Sequence, residues 1–78
     1  MSDTRLMVEH IAMLGPGGGE QIDALAEFGY ELDSVEQRDG QFVAQATKTI
    51  AGVPYRAAAV GRTRIDAARA LVKTIARR

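Results

Sequence analysis

The stretch TRIDAARALVKTIARR, Thr63 to Arg78, constrains the fold most, because it has the features of one capped amphipathic helix. Thr63 fits an N-cap, and Asp66 has the capping-box spacing, so each can accept a hydrogen bond from a free backbone amide. Apolar residues recur at intervals of three and four: Ile65, Ala68, Leu71, Val72 and Ile75. A helix with one apolar stripe must bury it, so the rest of the chain has to supply the surface.

The residues before this helix predict a β-sheet. Residues 30–37 predict a strand with an irregularity near Ser34, and residues 41–50 alternate between apolar and polar side chains. Asp39-Gly40 and Ala51-Gly52 are two-residue turns, and a third strand follows over residues 53–60 until Gly61. Pro54 is tolerated at the start of an edge strand. The side chains expected to face inward are Phe42, Ala44, Ala46, Val53, Tyr55, Ala57 and Ala59.

The first part of the chain predicts a strand and a helix. Arg5 to Leu14 is apolar on both faces and indicates a strand, with a helix as the competing interpretation, and its His10 indicates a packed side chain. GPGGG at 15–19 predicts a connector, because it lacks the lysine and hydroxyl residue of a phosphate-binding loop. Residues 20–28 predict a helix ended by Gly29. Its expected buried residues are Ile22, Leu25 and Ala26.

The element order is therefore β-α-β-β-β-α over a single domain, residues 1–78. The fold class is α+β, a curved antiparallel sheet with both helices packed on one face. A chain of this length has a marginal core, and this favours a homodimer.

Composition excludes several classes of function. The chain has no cysteine and one histidine, so we expect no disulfide, no metal site and no cofactor. The spacing of the polar residues does not single out a nucleophile with a base, so we do not expect an enzyme. No apolar run approaches the ~20 residues of a membrane span, so we expect a small cytoplasmic protein that does not contact membranes. The excess of arginine over lysine and the abundance of alanine suggest a GC-rich coding genome. We expect a small bacterial or phage protein.

The net charge of zero conceals two oppositely charged halves. Residues 1–37 hold eight acids and one base, whereas residues 38–78 hold nine bases and two acids. Such asymmetry indicates either an anionic partner for the basic half or self-complementary association. The bases expected to form one surface are Arg56, Arg62, Arg64, Arg69, Lys73 and Arg77.

Two hypotheses of function follow from this surface. The first is a non-catalytic module that binds the phosphate backbone of duplex nucleic acid, because such bases release counterions on binding. The second is a protein-interaction or homo-oligomerising module that uses the charge-polarised halves. A solvated helix face with no binding role is the alternative to both. The sequence leaves RNA, DNA and protein open as the partner.

Short motifs resemble three families. Residues 61–67, GRTRIDA, with the α-β-β-β-α order, resemble the helix start of the double-stranded RNA-binding domain, and this implies phosphate contacts by Arg62 and Arg64. The same junction resembles that of HicB-like antitoxins, and this implies toxin binding and oligomerisation. Residues 29–32, GYEL, are similar to a step in a small bacterial β-α-β-β family of unknown function.

Overall fold

The computed structural model describes Leu14 and residues 18–77 of the chain. They form α1 (Gly19–Glu27), β1 (Glu31–Arg38), β2 (Gln41–Ile50), β3 (Val53–Gly61) and α2 (Arg64–Ala76). This order confirms the α+β fold and the α-β-β-β-α part of the prediction. The predicted first strand and His10 lie outside the described residues, except Leu14. Leu14 is helical and buried, so a strand does not extend to its predicted end; leucine favours helices.

The sheet is an antiparallel meander in the order β1-β2-β3. Both hairpin turns have two residues with positive φ: Asp39 (51°) and Gly40 (78°), then Ala51 (51°) and Gly52 (81°). Two positive φ values define the type I′ turn, whose twist matches that of the flanking strands. The register of β1 against β2 shifts between Leu32 and Ser34, which confirms the predicted irregularity.

A single core lies between the helices and one face of the sheet. Leu32 and the alanines of β2 and β3 form its sheet side, and Ala44 and Ala46 are both fully buried. Small side chains let α2 lie close on the sheet. The largest fully buried side chains are Leu71 on α2 and Leu25 on α1. The buried apolar residues are Leu14, Ile22, Leu25, Leu32, Ala44, Ala46, Ala57, Ala67, Ala68, Leu71 and Ile75.

The helix α1 ends as its sequence predicts but buries a slightly different face. The Gly29 amide donates to the Ala26 carbonyl (2.9 Å) and the Tyr30 amide to the Leu25 carbonyl (2.8 Å), a Schellman motif that needs the positive φ of Gly29. The predicted burial of Ala26 is wrong: it is exposed, and Gln21 is buried instead. The buried face, Gln21, Ile22 and Leu25, therefore lies closer to the start of the helix than predicted.

The tip of the β2–β3 hairpin extends beyond the core. Val53 is 51% exposed and Tyr55 48% exposed, although both lie on the inward-facing side of β3. Tyr55 therefore faces inward as predicted but is not part of the core. Alternation assigns a side chain to a face, but burial also requires a helix above it, and the first buried residue of β3 is Ala57.

Candidate nucleic-acid interface

The start of α2 is fixed by a side-chain cap. The Asp66 amide donates to the Thr63 hydroxyl oxygen (3.0 Å), which confirms Thr63 as the N-cap. The reciprocal bond of a capping box does not form between these two described residues. Aspartate is one methylene shorter than the glutamate that usually completes the box. The helix therefore begins at Arg64, and Arg62 lies in the preceding loop.

Three of the predicted bases form one stripe on the outward face of α2. Arg69, Lys73 and Arg77 are exposed, and they recur every four residues on the side opposite the buried Leu71 and Ile75. A rise of about 1.5 Å per residue places successive bases about 6 Å apart along the axis. We call Arg69, Lys73 and Arg77 the basic stripe.

Arg64 faces the end of the sheet rather than the basic stripe. Its guanidinium carbon lies 5.0 Å from the centroid of the Phe42 ring, and the side chain remains exposed. This cation–π contact holds the guanidinium beside the capped helix start, whose free amides add positive potential. Arg62 is exposed one residue before the cap. These two arginines form a second basic group, at the N-terminal end of the helix.

Arg56 is separated from the other five bases. It pairs with Thr47 across the β2–β3 ladder, and its neighbours Tyr55 and Ala57 belong to the inward side. Arg56 therefore projects from the sheet face that turns away from both helices. The prediction of one contiguous surface containing all six bases is wrong for this residue, because adjacent strand residues alternate between faces.

Arg56 lines a shallow depression of about 580 Å³ on that outer face. Asp33 also lines it and accepts a hydrogen bond from the Thr47 hydroxyl. The β1 bulge turns Asp33 toward β2, so this contact depends on the irregularity near Ser34. The irregularity was visible in the sequence, whereas the contact between Asp33 and Thr47 was not.

The basic side chains of α2 are not neutralised within the described part of the chain. The ion pair between described residues joins Arg38 to Glu36 (2.8 Å), two exposed neighbours on β1. The acids of α1, Glu20, Asp23 and Glu27, are exposed and form no ion pair with the basic stripe. Among residues 18–77, these acids therefore do not neutralise the bases of α2.

Lys48 is a further base with a defined contact, and it is not among the six bases predicted to form one surface. Its ammonium lies 5.9 Å from the centroid of the Tyr30 ring, and its side chain runs against Gly29. Lys48 continues the inward series of Phe42, Ala44 and Ala46, so the alternation could have indicated its position. It covers the end of α1 instead of extending the basic stripe.

Comparison with known proteins provides no further information about this site. No family model matches the chain, and neither the curated proteins nor the solved structures contain a significant match. The α-β-β-β-α order is compatible with the fold of the double-stranded RNA-binding domain, but no matching family supports that resemblance. None of the helices described within residues 18–77 is long and apolar enough to cross a membrane. The described residues also contain no cluster of acids or histidine that could bind a metal ion.

Proposed function

We propose that the protein is a small non-catalytic module that binds the phosphate backbone of duplex nucleic acid in the cytoplasm. The observation that carries this proposal is the basic stripe: Arg69, Lys73 and Arg77 are exposed on one face without an ion pair to described acids. Arg62 and Arg64 extend the positive potential to the helix start. Bases in such a row neutralise phosphates and release counterions, and this gives affinity without reading bases.

The proposed binding surface does not include Arg56. This residue is on the opposite side of the sheet, so a duplex that lies along α2 cannot contact it at the same time. Arg56 therefore provides a matched control for the loss of one positive charge. Aromatic stacking is not part of the proposal, because Phe42 is already covered by Arg64.

The proposal is tested by fluorescence anisotropy of labelled duplex RNA and DNA at several salt concentrations. Three to five phosphate contacts predict that log affinity falls with log salt at a slope of roughly −3 to −5. Arg69→Glu with Lys73→Glu should abolish binding at moderate salt. Of the two variants that each lose one positive charge, Arg69→Ala should weaken binding and Arg56→Ala should leave it almost unchanged. Unchanged binding by the double variant would exclude the basic stripe.

A second candidate function is protein interaction through oppositely charged faces. The exposed acids of α1 and the basic stripe of α2 favour it, because neither group is paired with the other. Absence of duplex binding at low salt, with the wild-type fold confirmed by circular dichroism, would contradict the first proposal. An acidic protein surface would then be the partner to seek.

A further inference from the structure

Within the described part of the chain, the outer edge of the strand β3 is unpaired. The strand pairs with β2 on one side, and no described strand pairs with its other side. Residues Val53, Pro54, Tyr55, Arg56, Ala58 and Val60 are all exposed. An exposed edge presents unpaired amides and carbonyls, which are a template for another strand.

The turn geometry determines which backbone groups point away from β2. The type I′ turn at Ala51-Gly52 makes Ile50 and Val53 a hydrogen-bonded pair, and such pairs alternate along an antiparallel ladder. Residues 53, 55, 57, 59 and 61 therefore bond to β2, and residues 54, 56, 58 and 60 point to the free edge. Pro54 occupies an outward position, where its missing N–H costs no bond within the sheet.

The two edges of the sheet differ in the features that prevent pairing. The β1 edge has a bulge and the charged residues Glu31, Asp33, Glu36 and Arg38. The β3 edge is regular over its whole register, and its single charged residue is Arg56. Charges and bulges are the usual protection of an edge strand, so the β3 edge is the less protected of the two edges of the described sheet.

We propose that β3 pairs in antiparallel fashion with β3 of a second copy of this chain, forming a six-stranded sheet. A twofold axis at Ala57 places Arg56 opposite Ala58 of the partner subunit and Pro54 opposite Val60 of the partner subunit. Outward residues then meet outward residues, as the hydrogen-bonding pattern requires. Pro54 lacks a donor, but its carbonyl accepts from Val60 of the partner subunit.

The side chains of this register are self-complementary, which favours a second copy over an unrelated strand. Arg56 meets a small alanine, so no like charges are directly opposed across the interface. On the inward side, Tyr55 lies opposite Ala59 of the partner subunit, where the exposed ring gains an apolar contact. Because the chain has no net charge, two copies do not repel each other as wholes.

The pairing would complete the depression on the outer face. Ala58 lines that depression together with Asp33 and Arg56. Opposite Ala58, the second copy contributes Arg56 of the partner subunit, so the rim gains another guanidinium. This inference does not depend on nucleic-acid binding, because the basic stripe lies on the other side of the sheet.

Sedimentation equilibrium without nucleic acid tests the pairing. Between roughly 10 µM and 1 mM, the mass should rise from 8.4 kDa toward twice that value, with a dissociation constant on the order of 10–100 µM for so small an interface. Ala58→Pro removes an outward amide without disturbing the ladder to β2, and it should remain monomeric. Gln37→Pro makes the same change at an outward position of the β1 edge and should dimerise like the wild type.

A second pair of variants keeps the test valid if a new proline prevents folding. Ala58→Lys places a charge opposite Arg56 of the partner subunit and should weaken dimerisation at least tenfold. Thr49→Lys adds the same charge on the outer face of the central strand and should not. A wild-type mass of 8.4 kDa at roughly 1 mM would overturn the proposal. Unchanged dimerisation of both Ala58 variants would also overturn it, as would assemblies larger than a dimer.

Discussion

Gly61 is the residue at which the sheet and α2 come closest. A Cβ at this position would lie 2.3 Å from the Ala67 amide nitrogen and 2.6 Å from the Asp66 carbonyl carbon. Both are backbone atoms, which cannot rotate away as a side chain can. Gly61 is needed for this approach and not for an unusual φ, since its backbone is that of an ordinary strand residue.

We therefore expect Gly61→Ala to lower the free energy of unfolding by about 1–3 kcal/mol, because the helix must move away from the sheet. Urea unfolding followed by circular dichroism measures this loss. Gly19→Ala is the matched control: a Cβ there meets nothing within 4 Å, and alanine favours the helix. Equal stability of the two variants would contradict the packing argument.

Thr63 contributes through one hydrogen bond, from the Asp66 amide to its hydroxyl oxygen. Thr63→Ala should lower stability by about 1 kcal/mol and the melting temperature by about 4–8 °C. Thr74→Ala removes a hydroxyl that donates to the Ala70 carbonyl within the same helix, and it should be neutral or slightly stabilising. Thermal unfolding of the two variants separates the cap from a general effect of losing a hydroxyl.

At the scale of the element, the β2–β3 hairpin has an unfavourable turn residue. Ala51 adopts a φ of 51°, in the left-handed region, where a Cβ crowds the following carbonyl oxygen. The other hairpin has Asp39 at the equivalent position, a residue that tolerates this conformation better. The second turn therefore forms because the strands pair, not because its first residue favours it.

Ala51→Asn should raise the free energy of unfolding by about 0.5 kcal/mol, because asparagine tolerates the left-handed conformation. Asp39→Asn is the control and should change stability little. Chemical denaturation of both variants measures the difference. A destabilised Ala51→Asn would show that the side chain at this turn has a role that its exposure does not indicate.

The helix α2 combines two roles on opposite faces. Its buried face, Ala67, Ala68, Leu71 and Ile75, holds the helix on the sheet. Its outward face carries the basic stripe, which contributes nothing to the core. Charge reversal at Arg69 and Lys73 should therefore change the melting temperature by no more than about 2–4 °C, equivalent to about 0.5 kcal/mol. The thermal scan of this double variant is the fold control for the duplex-binding experiment.

At the scale of the whole molecule, the core formed by the described residues is small, and five of its eleven buried apolar residues are alanines. A domain of this length has only about 3–5 kcal/mol of stability from its core. Association of two copies along β3 would therefore contribute a large part of the total. This coupling makes stability depend on protein concentration.

Above the dissociation constant, the melting temperature should rise by about 3–5 °C for each tenfold increase in protein concentration. The melting temperature of Ala58→Pro should not depend on concentration. Scanning calorimetry over two decades of concentration measures both. A wild-type melting temperature that does not change over this range would contradict a dimer that unfolds with its subunits.

The local signals in the sequence determined most of the secondary structure. The Thr63 cap, the left-handed Gly29 and the two turns at 39–40 and 51–52 each depend on residues close in the chain. Hydrophobic periodicity then assigned a face to each element, and one apolar face per element requires a layered α+β fold. These features could be predicted because their physical causes are local.

The tertiary structure decided what the faces contact. Alternation placed Tyr55 on the inward side, but only the position of the helices shows that it is exposed. The six bases formed one group in the sequence, and the sheet separates Arg56 from the helix because adjacent strand residues point to opposite faces. Whether a charge is paired, and which strand edge is open, depend on residues distant in the chain, so the sequence alone could not determine them.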